Sequence, residues 1–153
     1  MKTPPEGYSS ITPYLIVQGA SAAIDFYKRV FNATERMRMG GPNDMVMHAE
    51  LEIGSSVVML ADEFPQMNAL SPVSVGGSPV FILLYVENVD EVFQRALDAG
   101  ATAERPVQNQ FYGDRSGTLR DPFGHRWTIS THVEDVSPEE MERRMAAMKP
   151  DCS

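Results

Sequence analysis

The chain is almost without cysteine. Its one thiol, Cys152, stands in the tail, so no intrachain disulfide can form and a reducing, cytoplasmic setting is expected. Long apolar runs are missing too. No stretch approaches the roughly 20 apolar residues of a membrane span, and the N-terminus has no apolar run of signal-peptide type. Basic charge is scarce: 13 Lys and Arg against 21 Asp and Glu give a net charge of −8. That balance argues against a nucleic-acid partner, whose phosphates need a basic face. It would steer a cationic ligand, or serve solubility alone. No phosphate-cradling loop is present, because Gly40-Gly41 and Gly76-Gly77 lack the Lys and the strand–helix context. No Ser-His-Asp or Cys-His nucleophile set is visible, and Cys152 is too terminal to serve as one.

What is present is a pattern stated twice. With 153 residues the chain suits one compact domain of two halves. Residues 1–10, rich in Pro, Gly and Ser, read as an N-terminal arm. A first module spans 11–61. Ile11 to Val17 is a strand candidate; Ala20, Ile24, Tyr27 and Phe31 then fall on one helical face. Glu35 to Met39 reads as a short strand, broken at Gly40-Gly41-Pro42-Asn43. Met45 to Ile53 alternates, with Met45, Met47, Ala49, Leu51 and Ile53 on one face and His48, Glu50 and Glu52 on the other. Gly54-Ser55 suits a two-residue type II′ hairpin turn into the strand from Ser56 to Ala61.

Residues 62–79 read as a linker, and the order then restarts in a second module over 80–131. Val80 to Val86 is apolar. Asn88 with Glu91 makes a capping box, Val89, Val92, Phe93 and Ala96 give a helical stripe, and Gly100 sits at C′. Strands are expected near 102–107, 112–120 and 126–131. The last two are joined by Asp121-Pro122-Phe123-Gly124, whose Pro and Gly positions are those of a type I turn. Thr12 falls on Phe81 at a constant shift, as do Val17 on Val86 and Met59 on Thr128. Ala33-Thr34 and Ala101-Thr102 match one residue out of step, which implies a single indel. The fold class is therefore α+β, two tandem βαβββ modules; one mixed sheet without duplication is the alternative. Residues 132–153 form a C-terminal helix and tail. Ser137-Pro138-Glu139-Glu140 supplies cap, N1 and N3, Arg143 and Arg144 follow, and Met141, Met145 and Met148 make a narrow stripe for its own domain or a dimer partner.

Paired modules with Ile24-Asp25-Phe26-Tyr27 in the first helix and Asp121-Pro122-Phe123-Gly124 before the last strand resemble the vicinal oxygen chelate superfamily. That superfamily holds glyoxalase I, bleomycin-resistance proteins, fosfomycin-resistance enzymes and extradiol dioxygenases. Phe111-Tyr112-Gly113-Asp114-Arg115-Ser116-Gly117, Asp62-Glu63-Phe64-Pro65 and the tail from Val133 to Glu140 look like its PhnB-like branch. The resemblance implies curled sheets that pair around a cup, within one chain or across a homodimer. It also implies four metal positions on the first and last strand of each module. Here they fall on Thr12, Met59, Phe81 and Thr128. Two hydroxyls, a thioether and a phenyl ring cannot hold the divalent metals that need imidazole, carboxylate or thiolate donors. No metal and no other cofactor is therefore expected at that site.

The Gly54-Ser55 turn places Glu50 opposite Met59 and His48 opposite Ala61, and opposed side chains share a face. If Met59 faces the cup, so do Glu50 and His48. Beside apolar Met59 and Phe81 the Glu50 carboxyl is expected to titrate high, ready for acid–base work with His48; a solvated strand face is the plainer reading. Arg115 either holds an anionic ligand group or pairs locally with Asp114. Tyr14, Thr128 and Ser130 join the expected ligand contacts, while Trp127 and Ile129 alternate into the core. His125 follows a turn and is expected to bond backbone groups. His132, seven residues on, shares no metal site with it. The 10 Met suit an adaptable pocket or ordinary core. Three functions remain open: a metal-free small-molecule binder of sequestration type, a cofactor-independent lyase or isomerase using Glu50 and His48, or a metalloenzyme with ligands moved to His48, Glu50 or Asp62-Glu63.

Overall fold

The computed structural model describes residues 1–148; residues 149–153, Cys152 among them, lie outside the described residues. The first half runs β1 (Tyr14–Val17), α1 (Ala20–Phe31), β2 (Thr34–Gly40), β3 (Val46–Ile53) and β4 (Ser56–Asp62). A short helix, α2 (Pro72–Val75), lies in the connection. The second half repeats the order with β5 (Phe81–Tyr85), α3 (Val89–Asp98), β6 (Thr102–Asn109), β7 (Asp114–Arg120) and β8 (Arg126–His132), and α4 (Pro138–Ala147) follows. Each half is a four-stranded mixed sheet, ordered β1-β4-β3-β2 and β5-β8-β7-β6.

The duplication is visible in the register. Tyr14 pairs with Met59 and Leu83 with Thr128, so both partners are offset by the same 69 residues (83 − 14 and 128 − 59). Thr34 pairs with Glu52 and Thr102 with Arg120, an offset of 68 (102 − 34 and 120 − 52). The missing residue is regained in the last hairpin. Four residues separate Glu52 from its partner Val57, and five separate Arg120 from Arg126. In the first hairpin, Gly54 has φ 57° and Ser55 has no positive φ, the signature of a type II′ turn. In the second, the Gly124 amide returns to the Asp121 carbonyl at 3.1 Å, closing the turn that Pro122 starts.

Both long helices bury the stripes read from the sequence. Ala20, Ile24 and Tyr27 of α1 are fully buried, as is Ala96 of α3. Asn88 Oδ1 accepts from the Glu91 amide at 3.2 Å and caps α3. The start of α1 has no cap of its own. Asp62 at the end of β4 supplies one instead, accepting from the Gly19 and Ala20 amides at 3.0 and 2.8 Å while its other oxygen takes the Val46 amide. Pro106 lies in β6, an edge strand with register shifts on both sides of Arg105, where a missing N–H breaks no central ladder.

The helix-bearing faces of the two sheets meet in one core. Tyr27 and Phe31 of α1 lie 5.4 and 4.6 Å from the Trp127 ring on β8. Tyr27 Oη and Trp127 Nε1 both donate to one oxygen of buried Asp121, at 2.5 and 2.9 Å. The other Asp121 oxygen takes the Phe123 and His125 amides. His125 reaches across the halves as well: its Nε2 is 2.9 Å from the Ile16 carbonyl. The opposite faces of both sheets are left open, with Tyr14, Phe81, Leu83 and Tyr85 exposed. Helix α4 buries none of its residues. It is tied on by Arg144, which bonds the Phe111 carbonyl at 3.0 Å and the carboxylates of Glu134 and Glu140. Its Met145 and Met148 remain exposed. Among the described residues, no helix is long and apolar enough to cross a membrane.

Candidate functional site

The open face of the first sheet carries a connected polar chain. Glu50 pairs with Met59 across the β3–β4 ladder, so the two side chains share a face. Met59 pairs in turn with Tyr14. His48 and Glu50, two apart on β3, point the same way. The Tyr14 hydroxyl lies 2.8 Å from His48 Nδ1, and His48 Nε2 lies 2.9 Å from Glu50 Oε2. Glu50 Oε1 accepts from the Tyr8 hydroxyl, and the Arg36 guanidinium lies 4.8 Å from the centre of the Tyr8 ring. Met37 and Met39 stand opposite Glu50 and His48.

Glu50 is buried, at 6% exposure, yet its carboxyl titrates below the usual range. The Tyr8 hydroxyl is the largest cause and His48 the next; both outweigh desolvation. The sequence-based expectation of a raised value is corrected here, because hydrogen bonds to the ionised form outweigh the loss of water. The lowered value favours the ionised carboxylate, the form that can accept a proton or sit beside positive charge. Burial, then the charge on Glu50, raises the Tyr14 phenol.

The open face of the second sheet is different in kind. Phe81, Leu83 and Tyr85 alternate along β5 opposite Arg126, Thr128 and Ser130 of β8. The Thr118 and Thr128 hydroxyls meet at 3.0 Å. Arg126 lies 4.0 Å over the Phe81 ring and pairs with Glu104 at 2.7 Å. Ser130 is fully buried, and its Oγ has no hydrogen-bond partner among the described residues. A cavity of about 580 Å³ opens on this face, with Phe81, Leu83, Thr118 and Thr128 in its floor and the residues between β6 and β7 in its wall. Farther along, Asp114 takes the Tyr85 hydroxyl at 3.1 Å and His132 Nδ1 at 2.8 Å, and His132 Nε2 reaches Asp135 at 2.7 Å.

Of the residues singled out from sequence, Tyr14, His48, Glu50 and Met59 come together on the first face. Thr12 precedes that strand, half-buried. Phe81, Thr128 and Ser130 come together on the second face. Arg115 joins neither group. It pairs with Thr131, out of phase with Thr128 and Ser130, and its guanidinium forks onto Asp90 in the first turn of α3 at 2.8 and 2.9 Å. Strand alternation carries it to the helix side, where the Asp90 carboxylate and Asn109 Oδ1 hold it. The local carboxylate it pairs with is thus Asp90 and not its chain neighbour Asp114. Tyr8 had no signal in the sequence, since it lies in an arm without periodicity. Arg105 was hidden by the irregular register of its edge strand.

The donor chemistry bears on metals. Thr12, Met59, Phe81 and Thr128 supply no imidazole, carboxylate or thiolate, so a divalent ion does not fit them. The relocated alternatives are also engaged elsewhere: Asp62 caps α1, and Glu63 takes the Ser71 amide at 2.6 Å. The Ser71 and Ser74 hydroxyls hold the Glu63 carboxyl down at about 2. Among the described residues, no group of three or more His, Cys, Asp or Glu stands close enough to hold a metal ion.

Residues 9–129 match the sequence model of the Glyoxalase/Bleomycin resistance protein/Dioxygenase superfamily. The chain is 43% identical over 141 residues to the uncharacterized protein Rv0887c of Mycobacterium tuberculosis strain H37Rv, covering 90% of this chain and 83% of that one. Among solved structures it is similar to TioX from Micromonospora sp. ML1, at 26% identity and TM-score 0.63, covering 84% of this chain and 100% of that one. It also shares its fold with a PhnB protein from Bacillus cereus, titled a putative 3-demethylubiquinone-9 3-methyltransferase, at 18% identity and TM-score 0.65, covering 80% and 99%.

Proposed function

This chain belongs to the glyoxalase/bleomycin resistance protein/dioxygenase superfamily, and from that membership and its geometry we propose that it binds a small organic molecule without a metal. The observation that carries this reading is the open second face, where aromatic rings and paired threonine hydroxyls surround a cavity of about 580 Å³. That volume suits a drug-sized ligand. Tyr14, Met59 and the neighbouring Thr12 line the corresponding first face. In one chain the two open faces do not cover each other, because the helix-bearing faces are the ones that pack together. A homodimer that sets the first face of one copy against the second face of its partner would close the cup. Sequestration is the simplest activity of such a site, and a cytoplasmic location belongs to the same proposal.

A second reading has its own observation. The chain Tyr14–His48–Glu50 is built for proton transfer, with an ionised carboxylate orienting an imidazole that faces a phenol. A cofactor-independent lyase or isomerase would use it.

A thermal-shift screen tests the first reading. It sets aromatic, cationic and 2-oxo acid compounds beside divalent metals and EDTA. A ligand at 100 times its dissociation constant adds about 2.7 kcal/mol, and each kcal/mol moves the midpoint of a domain this size by roughly 2–4 °C. The expected result is an organic compound that stabilises the protein equally with and without EDTA. Stabilisation by metal that EDTA reverses would overturn the reading. Turnover of the hit compound that Glu50→Gln abolishes while affinity stays within about twofold would select the enzyme instead.

A further inference from the structure

The cavity on the second face has a charge opposite to that of the protein. The chain carries −8 overall, yet no Asp or Glu lines this cavity, and one cation, Arg105, does. Three other arginines of this half, none of them lining the cavity, are committed. Arg115 is held by Asp90, Arg126 by Glu104, and Arg144 by Glu134 and Glu140. Arg105 has no carboxylate partner among the described residues. It stands in register with Thr118, whose hydroxyl bridges to Thr128, and the Gln110 amide lines the same space. Apolar groups line the same space, Leu83 as the strand partner of Thr128 and Phe111 and Tyr112 next to Gln110 in the chain. Phe111 and Tyr112 meet edge to face at 5.3 Å, and Leu83 is half exposed to the cavity side.

Five donors in a planar fork beside hydroxyls and an amide recognise a carboxylate in two-point fashion. Aromatic walls recognise a flat apolar body. A cavity holding both, and no competing acid, is selective for one molecule that carries both. We infer that the ligand of this site is an aromatic carboxylic acid, with its carboxylate on Arg105 and its ring between Leu83 and the Phe111–Tyr112 pair. The inference rests on the small-molecule reading above and narrows it. It also runs against the cationic ligand that the net charge alone would favour, because steering acts over the whole surface whereas selection acts at contact distance.

Matched pairs test it: indole-3-acetate against indole-3-acetamide, and phenylacetate against phenylacetamide, titrated calorimetrically into the full chain. A charge-assisted bidentate bond in such a site is expected to favour each acid over its amide by at least about tenfold. Arg105→Gln should erase that preference and leave amide affinity unchanged. Arg120→Gln removes an arginine of the same sheet that lines a different hollow, and it should change nothing. Circular dichroism and the melting midpoint confirm that each variant is folded. Equal affinity for acid and amide, or a preference that survives Arg105→Gln, overturns the role of Arg105 while leaving the small-molecule reading intact. Binding of neither member of any pair, in a protein that still responds to another compound of the wider screen, overturns the ligand class alone. A protein that responds to nothing in that screen overturns both.

Discussion

The Asp121 carboxylate joins the two halves. Asp121 is 3% exposed and accepts from Tyr27, Trp127 and the Phe123 and His125 amides. Tyr27 comes from the first half and the other three from the second. Burial and the charge on Asp121 push the Tyr27 phenol well above its ordinary value, so the phenol keeps its proton, and its donated bond, through the physiological range. Asp121→Ala would strand two buried side-chain donors, at a cost of about 3 kcal/mol. The melting midpoint should fall by roughly 6–12 °C for a domain of this size. Tyr27→Phe, which removes one donor and leaves the carboxylate its other partners, should cost about 1 kcal/mol. Differential scanning calorimetry of both variants checks the order; equal losses would contradict it.

At the scale of elements, α4 and the strand ends beneath it are joined through charge. His132 at the end of β8 lies between Asp135 and Asp114. Both carboxylates raise the imidazole above its ordinary value of 6.5, Asp135 most. A group with a raised folded value stabilises fully below its unfolded value. That contribution fades as pH rises through the folded value, which lies above 6.5. The melting difference between the native chain and His132→Gln should therefore be largest near pH 6 and shrink toward pH 9. The imidazole is half exposed, so solvent screening keeps the effect small. An NMR titration of His132 should show a midpoint above 6.5 that falls in Asp135→Asn; a midpoint at or below 6.5 would contradict the bridge. Beside it, Gly113 has φ 103°, and a Cβ there would collide with the Glu134 carbonyl. That glycine lets residues 133–134 strap the loop that walls the cavity.

At the scale of the whole molecule, the proposed dimer predicts a species of twice the 17.0 kDa chain mass in sedimentation equilibrium at micromolar concentration. Leu83→Asp, on the open second face, should shift it to monomer. A native chain that sediments as a monomer throughout would remove the closed cup. The same scale shows what the sequence could disclose. Local signals were legible: the helical stripes, the Asn88 and Ser137 caps, the Gly54-Ser55 turn and the strand alternation that set Glu50 beside Met59. These depend on neighbours a few residues apart. The placements that escaped depend on distant partners. Asp62 looked like linker because the helix start it caps lies 42 residues away. Arg115 was ambiguous because Asp90 belongs to another element. The pKa of Glu50 was misjudged because its strongest neighbour, Tyr8, is in the arm. The halves were read correctly as repeats, but which of their faces meet is decided by side chains of both at once.

That last point limits how such a chain can be taken apart. A repeat usually suggests interchangeable units, each free to be copied, deleted or exchanged. Here Tyr27 and Phe31 close over Trp127, and Tyr27 completes the coordination of Asp121, so neither unit is finished without the other's residues. A hybrid made by swapping one half for that of a relative would inherit two mismatched surfaces, and its success would turn on whether those few residues travelled together. The open faces carry no such constraint. They can drift residue by residue, which leaves a common frame free to change what it recognises.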